Sequence, residues 1–356
     1  AATWITAHMR HPSLLWAVIS QELSWAGVSL DLHFHDRRGR LVAGEPGVLP
    51  PRVIVRADDP LLPLRILMNP SLAIGEAYVD GRLALEAGSL VELLELGTQA
   101  TKQRADSPMA PLTEWLGQVV RPPNTIRRAA RNARHHYDIP TEFYRLFLDR
   151  RMQYSCAYFP TGTEGLDEAQ ALKIAHIASK LALKPELSLL DIGCGWGALA
   201  IELAEKAGVR STGLTLAPEQ FAEAERQAEQ SSARSRIAFQ LADYRKWSGL
   251  YDRIVSVGML EHVGKAGLPG YFRQLSRMLK PDGIALVHAI GCWDGRSGHN
   301  PWIDRYIFPG GYIPALSEVI EALEHSGLKL LDTEILRLHY AFTLAHWSAR
   351  FEAQRD

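Results

Sequence analysis

Residues 190–197 have the sequence LDIGCGWG, which decides how the rest of the chain is interpreted. This octapeptide connects a short apolar run, Leu187–Ile192, to a helical pattern over Ala198–Lys206. Its three alternating glycines permit a tight turn and let a ligand approach the backbone without meeting a Cβ atom. The N-terminus of the following helix offers free N–H donors and a partial positive charge. The stretch therefore predicts a ligand-binding turn between a strand and a helix.

Strand and helix patterns alternate on the C-terminal side of this turn. Further strands are predicted at Val209–Leu216, Arg236–Leu241, Asp252–Val257 and Ile284–Ile290. Helices are predicted at Pro218–Gln230 and Leu268–Leu279, the second ended by Pro281-Asp282-Gly283. This alternation predicts an α/β fold with a mostly parallel, Rossmann-like sheet covered by helices on both faces. Ligands then bind beyond the carboxyl ends of the strands, where the strand order reverses.

The spacing of the glycines separates two classes of nucleotide ligand. A dinucleotide site would have GxGxxG and an acidic residue about 20 positions later, at the end of the second strand. Here the spacing is GxGxG, and the second strand ends in Gly213-Leu214-Thr215-Leu216 without an acid. With Asp191 ahead of the glycines, the stretch resembles motif I of class I S-adenosylmethionine (SAM)-dependent methyltransferases. That resemblance implies that Gly193 and Gly195 lie against the amino-acid part of SAM.

The composition limits the class of protein. A length of 356 residues suits two domains, and a net charge of −1 argues against a general nucleic-acid-binding protein. Three scattered cysteines predict reduced thiols in the cytoplasm, and no Cys/His cluster has zinc spacing, so we expect no metal. No stretch approaches the ~20 apolar residues that span a bilayer, so a lipid would be met from the aqueous side.

The chain is predicted to contain two domains and a linker. Residues 1–104 predict a small α+β domain, residues 105–134 a proline-containing linker, and residues 135–356 the α/β domain. In the first domain, helices are predicted at Leu14–Leu23 and Ser89–Leu96, and strands at Val28–Phe34 and Arg52–Val55.

A basic segment, Arg121–His136, contains five arginines and two histidines without an acidic residue. It is either a solvated helix face or a contact with an anionic surface, where each charge contributes ~1 kcal/mol.

Several further segments, in the same order along the chain, resemble cyclopropane-fatty-acyl-phospholipid synthases and mycolic acid cyclopropane synthases. They are HHYDIPTEFY at 135–144, MQYSCAYF at 152–159, GMLEHVG at 258–264, LVHAIG at 286–291, YIFPGG at 306–311 and HYA at 339–341. The N-terminal part resembles, more loosely, the extra domain of the phospholipid-acting members, through Asn69-Pro70 and GEAYVDG at 75–81. The resemblance implies the class I methyltransferase fold with a smaller, lipid-binding N-terminal domain.

The resemblance also implies a reaction and its site residues. In this family a methyl group passes from SAM to a cis double bond of an acyl chain, and bound bicarbonate then removes a proton so that a cyclopropane ring closes. The implied bicarbonate site comprises Cys156, Glu261, His288, Tyr340 and the backbone of Ile290. The implied SAM site comprises Tyr154, Ser155, Asp191, Gly193, Gly195, Thr215, Gln220, Asp243 and Tyr244. Tyr and His side chains can donate hydrogen bonds to the anion, and a carboxylate can accept its proton.

The same resemblance implies the partners and the location. The substrate would be an unsaturated phospholipid acyl chain, met peripherally at the inner face of the cytoplasmic membrane. A homodimer is compatible with the sequence, and no nucleic-acid partner is expected. A last helix is predicted from near Tyr340, and we expect further C-terminal helices beyond Asp356.

Alternatives stay open at the level of single residues and of function. Asp243 could cap a helix, Glu261 could be an acid at a helix N-terminus, and His288 and Tyr340 could be core residues. Phe342 stands where the family usually has a polar or charged residue. The alternative functions are alkene methylation without ring closure, methylation of an amine, and non-catalytic lipid binding with SAM as a structural ligand.

Overall fold

The computed structural model describes residues 14–47, 50–105, 139–293 and 300–354. Contacts divide these residues into two compact units, 14–105 with 300–305, and 139–293 with 306–354. The basic segment Arg121–His136 lies outside the described residues, and so does the predicted linker except for Ala105. The inclusion of residues 300–305 in the first unit was not predicted from the sequence.

The N-terminal unit contains a four-stranded mixed sheet and flanking helices. Its strands are β1 (Leu32–His35), β2 (Leu41–Ala43), β3 (Val53–Ala57) and β4 (Leu83–Ala87), in the order β2-β1-β3-β4. Its helices are α1 (Leu14–Trp25), α2 (Leu62–Met68), α3 (Pro70–Val79) and α4 (Leu90–Ala105). The predicted strand at Val28–Phe34 begins four residues late because Val28–Asp31 forms hydrogen-bonded turns after α1.

Helices α2 and α3 were missed from the sequence because each is short and begins next to a proline. The Asn69 side chain accepts a hydrogen bond from the Leu72 amide at 3.2 Å, which caps α3, and Pro70 takes the first helical position. The unit's core includes Phe34, Val53 and Leu62, all almost fully buried. The Asn69-Pro70 pair therefore has a structural role as a helix start.

Residues 300–305 pack within this unit through their contact with α3. A Cβ atom on Gly75 would lie 2.4 Å from Trp302 Cδ1, so the indole occupies the space that a side chain would need. Arg305 also pairs with Glu76 at 3.1 Å. Trp302 and Arg305 belong to the short helix α10 (Pro301–Tyr306), and Gly75 and Glu76 belong to α3. The contact with the Trp302 indole makes a glycine necessary at position 75.

The C-terminal unit contains a five-stranded sheet in which every neighbouring pair is parallel. Its strands are β5 (Ser188–Ile192), β6 (Arg210–Thr215), β7 (Ile237–Leu241), β8 (Tyr251–Val257) and β9 (Leu279–His288), in the order β7-β6-β5-β8-β9. Strand order reverses at β5, since β6 and β7 lie on one side and β8 and β9 on the other. The carboxyl ends of β5 and β8 therefore border the crevice where ligands bind in such sheets.

Helices cover both faces of this sheet. The helices of this unit are α5 (Thr141–Arg145), α6 (Leu166–Lys180), α7 (Ala198–Ala207), α8 (Pro218–Glu229), α9 (Leu268–Met278), α11 (Leu316–Glu324) and α12 (Arg337–Glu352). Successive residues of β5 separate the two cores: Leu189 packs with Ile177 of α6 and Leu203 of α7, whereas Leu190 packs with Leu275 of α9. This confirms the predicted α/β fold with helices on both faces.

The structure differs from the sequence prediction along β9. Pro281-Asp282-Gly283 does follow a helix, but it lies inside the strand, at the point where the register between Tyr251 and Arg253 shifts. The strand ends at His288 rather than at Ile290, because the Ile290 amide donates to the Glu261 side chain instead of to the ladder. Among the described residues, no helix is long and apolar enough to cross a membrane.

Candidate active site

The glycine-rich turn at the end of β5 is open on one side. Gly195 has a φ of +56°, and a Cβ atom on it would meet no atom within 4 Å. Gly197 has a φ of +87°, but a Cβ atom there would lie 2.6 Å from Phe239 Cζ and 2.8 Å from Ala224 Cβ. Gly195 thus presents bare backbone to a free space, while Gly197 allows α7 to pack closely against α8 and β7.

Asp191, a buried acid at the end of β5, lies beside this turn. Its side chain is 1% exposed, and Oδ2 has no hydrogen-bond partner among the described residues. Burial raises the pKa of Asp191 to about 7, and the nearby ammonium group of Lys173 lowers it. A buried carboxylate oxygen without a hydrogen-bond partner destabilises the fold. Such an oxygen is expected where a bound ligand supplies the missing donor.

Thr215 and Gln220 form a second polar pair at the end of β6. The Thr215 hydroxyl donates to Gln220 Oε1 at 3.1 Å and accepts from the Ala217 amide at 3.2 Å. The Gln220 side-chain Nε2 is buried and has no hydrogen-bond partner among the described residues. The structure therefore places a second unsatisfied polar group on the same edge of the sheet as Asp191.

Asp243 and Tyr244 follow β7, and both have structural partners. Asp243 caps the turn Tyr244–Lys246: its carboxylate accepts from the Arg245 amide at 2.9 Å and pairs with the Arg245 guanidinium at 2.5 Å. Tyr244 packs edge-on against Tyr271 of α9, and burial raises the pKa of Tyr244 to about 12. The structure therefore shows the helix-cap role of Asp243, and the contact of Asp243 and Tyr244 with SAM stays a prediction.

Tyr154 and Ser155 lie on the loop between α5 and α6. The Tyr154 ring is 5.2 Å from Trp347 and 5.5 Å from Tyr144, so an aromatic cluster fixes its position. The Ser155 hydroxyl oxygen accepts a hydrogen bond from Lys173 Nζ at 2.8 Å. Sequence reasoning missed Lys173, because a single lysine in a helical pattern is normally exposed.

Glu261 and Ile290 are brought together although they lie on different connections. Glu261 follows β8 in the turn Leu260–His262, and its Oε1 accepts from the Ile290 amide at 2.7 Å. Its Oε2 is buried without a partner among the described residues, and burial raises the pKa of Glu261. The predicted Ile290 donor is therefore engaged by the predicted Glu261 acceptor, which still has one free oxygen.

His288 and Tyr340 lie in partly apolar surroundings. Burial lowers the pKa of His288 to about 4, so its imidazole is neutral at physiological pH. Burial, together with nearby Tyr154, Glu261 and Cys156, raises the pKa of Tyr340 to about 12. Tyr340 also packs against the aromatic cluster that includes Trp347. Tyr340, Glu261 and Cys156 therefore share one region, in which Tyr340 keeps its phenolic proton.

Cys156 is a buried thiol on the same loop. Burial raises its pKa to about 11, and its Sγ donates to the Ala157 carbonyl at 3.3 Å. The loop is attached to α12 by two bonds that sequence reasoning did not anticipate. The Ala157 amide donates to Thr343 Oγ1 at 3.0 Å, and the Phe159 amide donates to His339 Nδ1 at 2.8 Å. The thiol is thus a neutral, weak donor in a rigid loop.

The parallel sheet with its reversal at β5, the open glycine turn and the unsatisfied acids beside it define a class I SAM-dependent methyltransferase. No cluster of metal-ligating side chains occurs in the part of the chain that the structure describes. The chain belongs to the mycolic acid cyclopropane synthetase family, whose model matches residues 124–356. The family predicted from the sequence is confirmed.

Individual relatives agree with this assignment. The chain is 36% identical over 316 residues to a probable fatty acid methyltransferase of Pseudomonas putida, covering 85% of this chain and 77% of that protein. It is 34% identical over 301 residues to the cyclopropane-fatty-acyl-phospholipid synthase of Escherichia coli, covering 84% and 76%. The crystal structure of mycolic acid cyclopropane synthase CmaA1 complexed with SAH and CTAB matches with a TM-score of 0.59 and 35% identity, covering 64% of this chain and 84% of that one.

Proposed function

We propose that this methyltransferase adds a methylene group to the cis double bond of an unsaturated phospholipid acyl chain, forming a cyclopropane ring, with bicarbonate as the base. The observation that supports this most directly is the buried, unpartnered Oε2 of Glu261, in the same region as Tyr340 and Cys156. Methylation of a nucleophilic amine would not need a buried acceptor to hold a base, whereas ring closure requires removal of a proton from the transferred carbon.

The residues beside the glycine turn fit SAM. The bare backbone at Gly195 leaves room for the ligand, and buried Asp191 and Gln220 each have an atom that lacks a protein partner. In the proposal these two side chains, with Ser155 and Thr215, hold the methionine and ribose parts of the cofactor. When bound, SAM supplies an electrophilic methyl carbon.

The residues around Glu261 fit a bound bicarbonate. Glu261 Oε2 can accept the O–H of the anion, while the protonated Tyr340 hydroxyl and the neutral His288 imidazole can donate to its oxygens. The Cys156 thiol is a weaker donor. The Ile290 amide, which donates to Oε1, holds the carboxylate in place, and this orienting role replaces the direct contact with bicarbonate implied by the family resemblance.

Negative and aromatic groups suit a reaction that places positive charge on the acyl chain. The Glu261 carboxylate offsets that charge, and the aromatic rings around Tyr154 and Tyr340 exclude water and present π-electron density. Attack by water on a cationic chain would give an alcohol, so a dry site protects ring closure. The apolar cluster thus has a chemical use in addition to packing.

The match to a phospholipid-acting relative supports a phospholipid substrate in this proposal. The match to the E. coli phospholipid synthase spans 301 residues, whereas the family model begins at residue 124, so that match includes part of the N-terminal unit. In the proposal this unit brings the catalytic unit to a lipid surface, and the enzyme works from the aqueous side of the cytoplasmic membrane. The basic segment Arg121–His136 would contact anionic headgroups.

Mass spectrometry of the products tests the proposal. The enzyme would be incubated with SAM and vesicles of cis-monounsaturated phosphatidylethanolamine, with saturated lipid as the control. The expected product gains one CH2 and loses its double bond, and no product forms from saturated lipid. A product that retains a double bond, or turnover of an amine and not of lipid, would contradict ring formation.

A further inference from the structure

We infer that Lys173 is a positioning residue of the cofactor site, which orients the Ser155 hydroxyl as a donor to the carboxylate of the SAM methionine group. The inference rests on SAM binding and is independent of the acyl substrate. Lys173 lies on α6, is 3% exposed, and has no predicted role in the family motifs quoted above.

The direction of the hydrogen bond at Ser155 follows from the chemistry of the ammonium group. Lys173 Nζ lies 2.8 Å from Ser155 Oγ and 2.7 Å from Gln153 Oε1, and an ammonium can only donate. The serine oxygen is therefore the acceptor, and the hydroxyl hydrogen remains available for a different group. A donor next to a positive charge selects an anionic acceptor.

The loop that carries Ser155 is held rigidly from both sides. Gln170, one turn before Lys173, donates to the carbonyl oxygens of Ser155 at 3.0 Å and Gln153 at 3.3 Å. The Asp149 carboxylate accepts from the Gln153 amide at 2.7 Å. Met152, between them, has a φ of +57°, a left-handed conformation that is strained for a side-chain-bearing residue. The surrounding hydrogen bonds therefore hold Met152 in an unfavourable backbone conformation, and this conformation fixes the position of Ser155.

The charges around Lys173 suit a zwitterionic ligand. The acidic groups facing it are Asp149, Asp191 and Glu202, with the Cys156 thiol nearby. Glu202 pairs with Arg151 at 2.6 Å and with Lys206, and Asp149 is occupied by backbone amides. Asp191 alone among these acids has an oxygen without any hydrogen bond or ion pair among the described residues. The methionine group of SAM carries a carboxylate for Ser155 and an ammonium for Asp191.

Calorimetry with SAM and with decarboxylated SAM tests the inference without any measurement of turnover. Decarboxylated SAM lacks only the group that Ser155 is expected to contact. We expect Lys173→Met and Ser155→Ala to weaken SAM binding by roughly tenfold to hundredfold and to leave decarboxylated SAM within about threefold of wild type. Lys180→Met, on the same helix but paired with Glu334 at 2.9 Å, should leave both affinities unchanged.

Two outcomes would overturn the inference. Equal weakening of both ligands in Lys173→Met would assign Lys173 to the fold alone, and unchanged affinities would remove it from the cofactor site. If Lys173→Met does not fold, Ser155→Ala still decides, because an unchanged preference for SAM over decarboxylated SAM in that variant contradicts the carboxylate contact. A failed lipid assay would leave these binding results unaffected, so the two proposals fail separately.

Discussion

The Ile290 amide donates a 2.7 Å hydrogen bond to Glu261 Oε1 and leaves Oε2 of the same carboxylate buried without a protein partner. One oxygen therefore fixes the orientation of the side chain, and the other can accept from a ligand. The bond connects the turn after β8 to the residue just beyond β9, so both strand ends determine where the acceptor lies.

Glu261→Gln should reduce turnover far more than cofactor binding. A glutamine presents an N–H₂ group in place of one oxygen, so it either repels the Ile290 amide or fails to accept the bicarbonate proton. We expect kcat to fall by roughly 10²–10⁴-fold, the usual effect of losing general-base function. SAM affinity should change less than threefold. Glu321→Gln, at an exposed position on α11, is the matched control, and wild-type turnover in Glu261→Gln would contradict the proposed role.

Tyr340→Phe separates catalysis from packing. The ring keeps its contacts in the aromatic cluster, so thermal stability should stay within a few degrees of wild type, while kcat falls at least tenfold because one donor to the base is lost. Bicarbonate dependence provides a second measurement. Wild-type turnover should fall in bicarbonate-depleted buffer and recover on its addition. Normal turnover in Tyr340→Phe would make the residue purely structural.

Gly195 and Gly197 should respond differently to alanine. Both have positive φ, so each substitution costs about 1–2 kcal/mol of strain. A Cβ atom at 195 meets no protein atom, so Gly195→Ala should fold and lose SAM affinity. At 197 it would lie 2.6 Å from Phe239, so Gly197→Ala should show a markedly lower melting temperature. Thermal denaturation and calorimetry measure the two effects, and wild-type SAM affinity in Gly195→Ala would show that the turn serves packing alone.

Asp191→Asn should change how stability depends on pH. The pKa of Asp191 is raised to about 7 from 3.8, so folding favours its neutral form. That contribution is complete below about pH 4 and is lost as pH rises through about 7. An asparagine does not titrate, so the melting temperature of Asp191→Asn relative to wild type should rise between pH 5 and pH 7.5. A constant difference across that range would contradict the raised pKa.

Membrane attraction by the basic segment can be tested with vesicles. Changing Arg127, Arg128, Arg131 and Arg134 to Gln should weaken binding to anionic vesicles more than to neutral ones. Added salt should reduce the difference, since screening weakens charge contacts at a surface. Equal binding of the wild-type protein to both vesicle types would favour a solvated helix face.

Much of the fold could be predicted because LDIGCGWG and the alternating patterns are local signals. Strand β5 and helix α7 were placed within one residue at each boundary, since apolar runs and glycines mark them directly. Strand β9 was misplaced because its two ends depend on partners elsewhere: Leu279 pairs with Tyr251, and Ile290 is taken by Glu261. These partnerships leave no trace in the local sequence pattern.

The site was predicted by family likeness more than by physical signals. Glu261 follows a strand, which is a recognisable position, but the burial of its free oxygen is a property of the fold. Lys173 was missed because no helix was predicted over Leu166–Lys180, where the polar residues Gln170 and Lys173 interrupt the buried face. Only tertiary structure shows that this lysine points inward to a loop about 20 residues earlier in the sequence.

The attachment of the loop that carries Cys156 to α12 affects the order in which parts of the protein fold during synthesis. The Ala157 and Phe159 amides find their acceptors 186 and 180 residues later, on Thr343 and His339. During synthesis on the ribosome, strands β5 to β9 can pair before α12 has emerged, because all their partners are already present. The nascent chain would therefore form its cofactor-binding sheet first and close the loop beside Glu261 and Tyr340 only after residue 343 is synthesised.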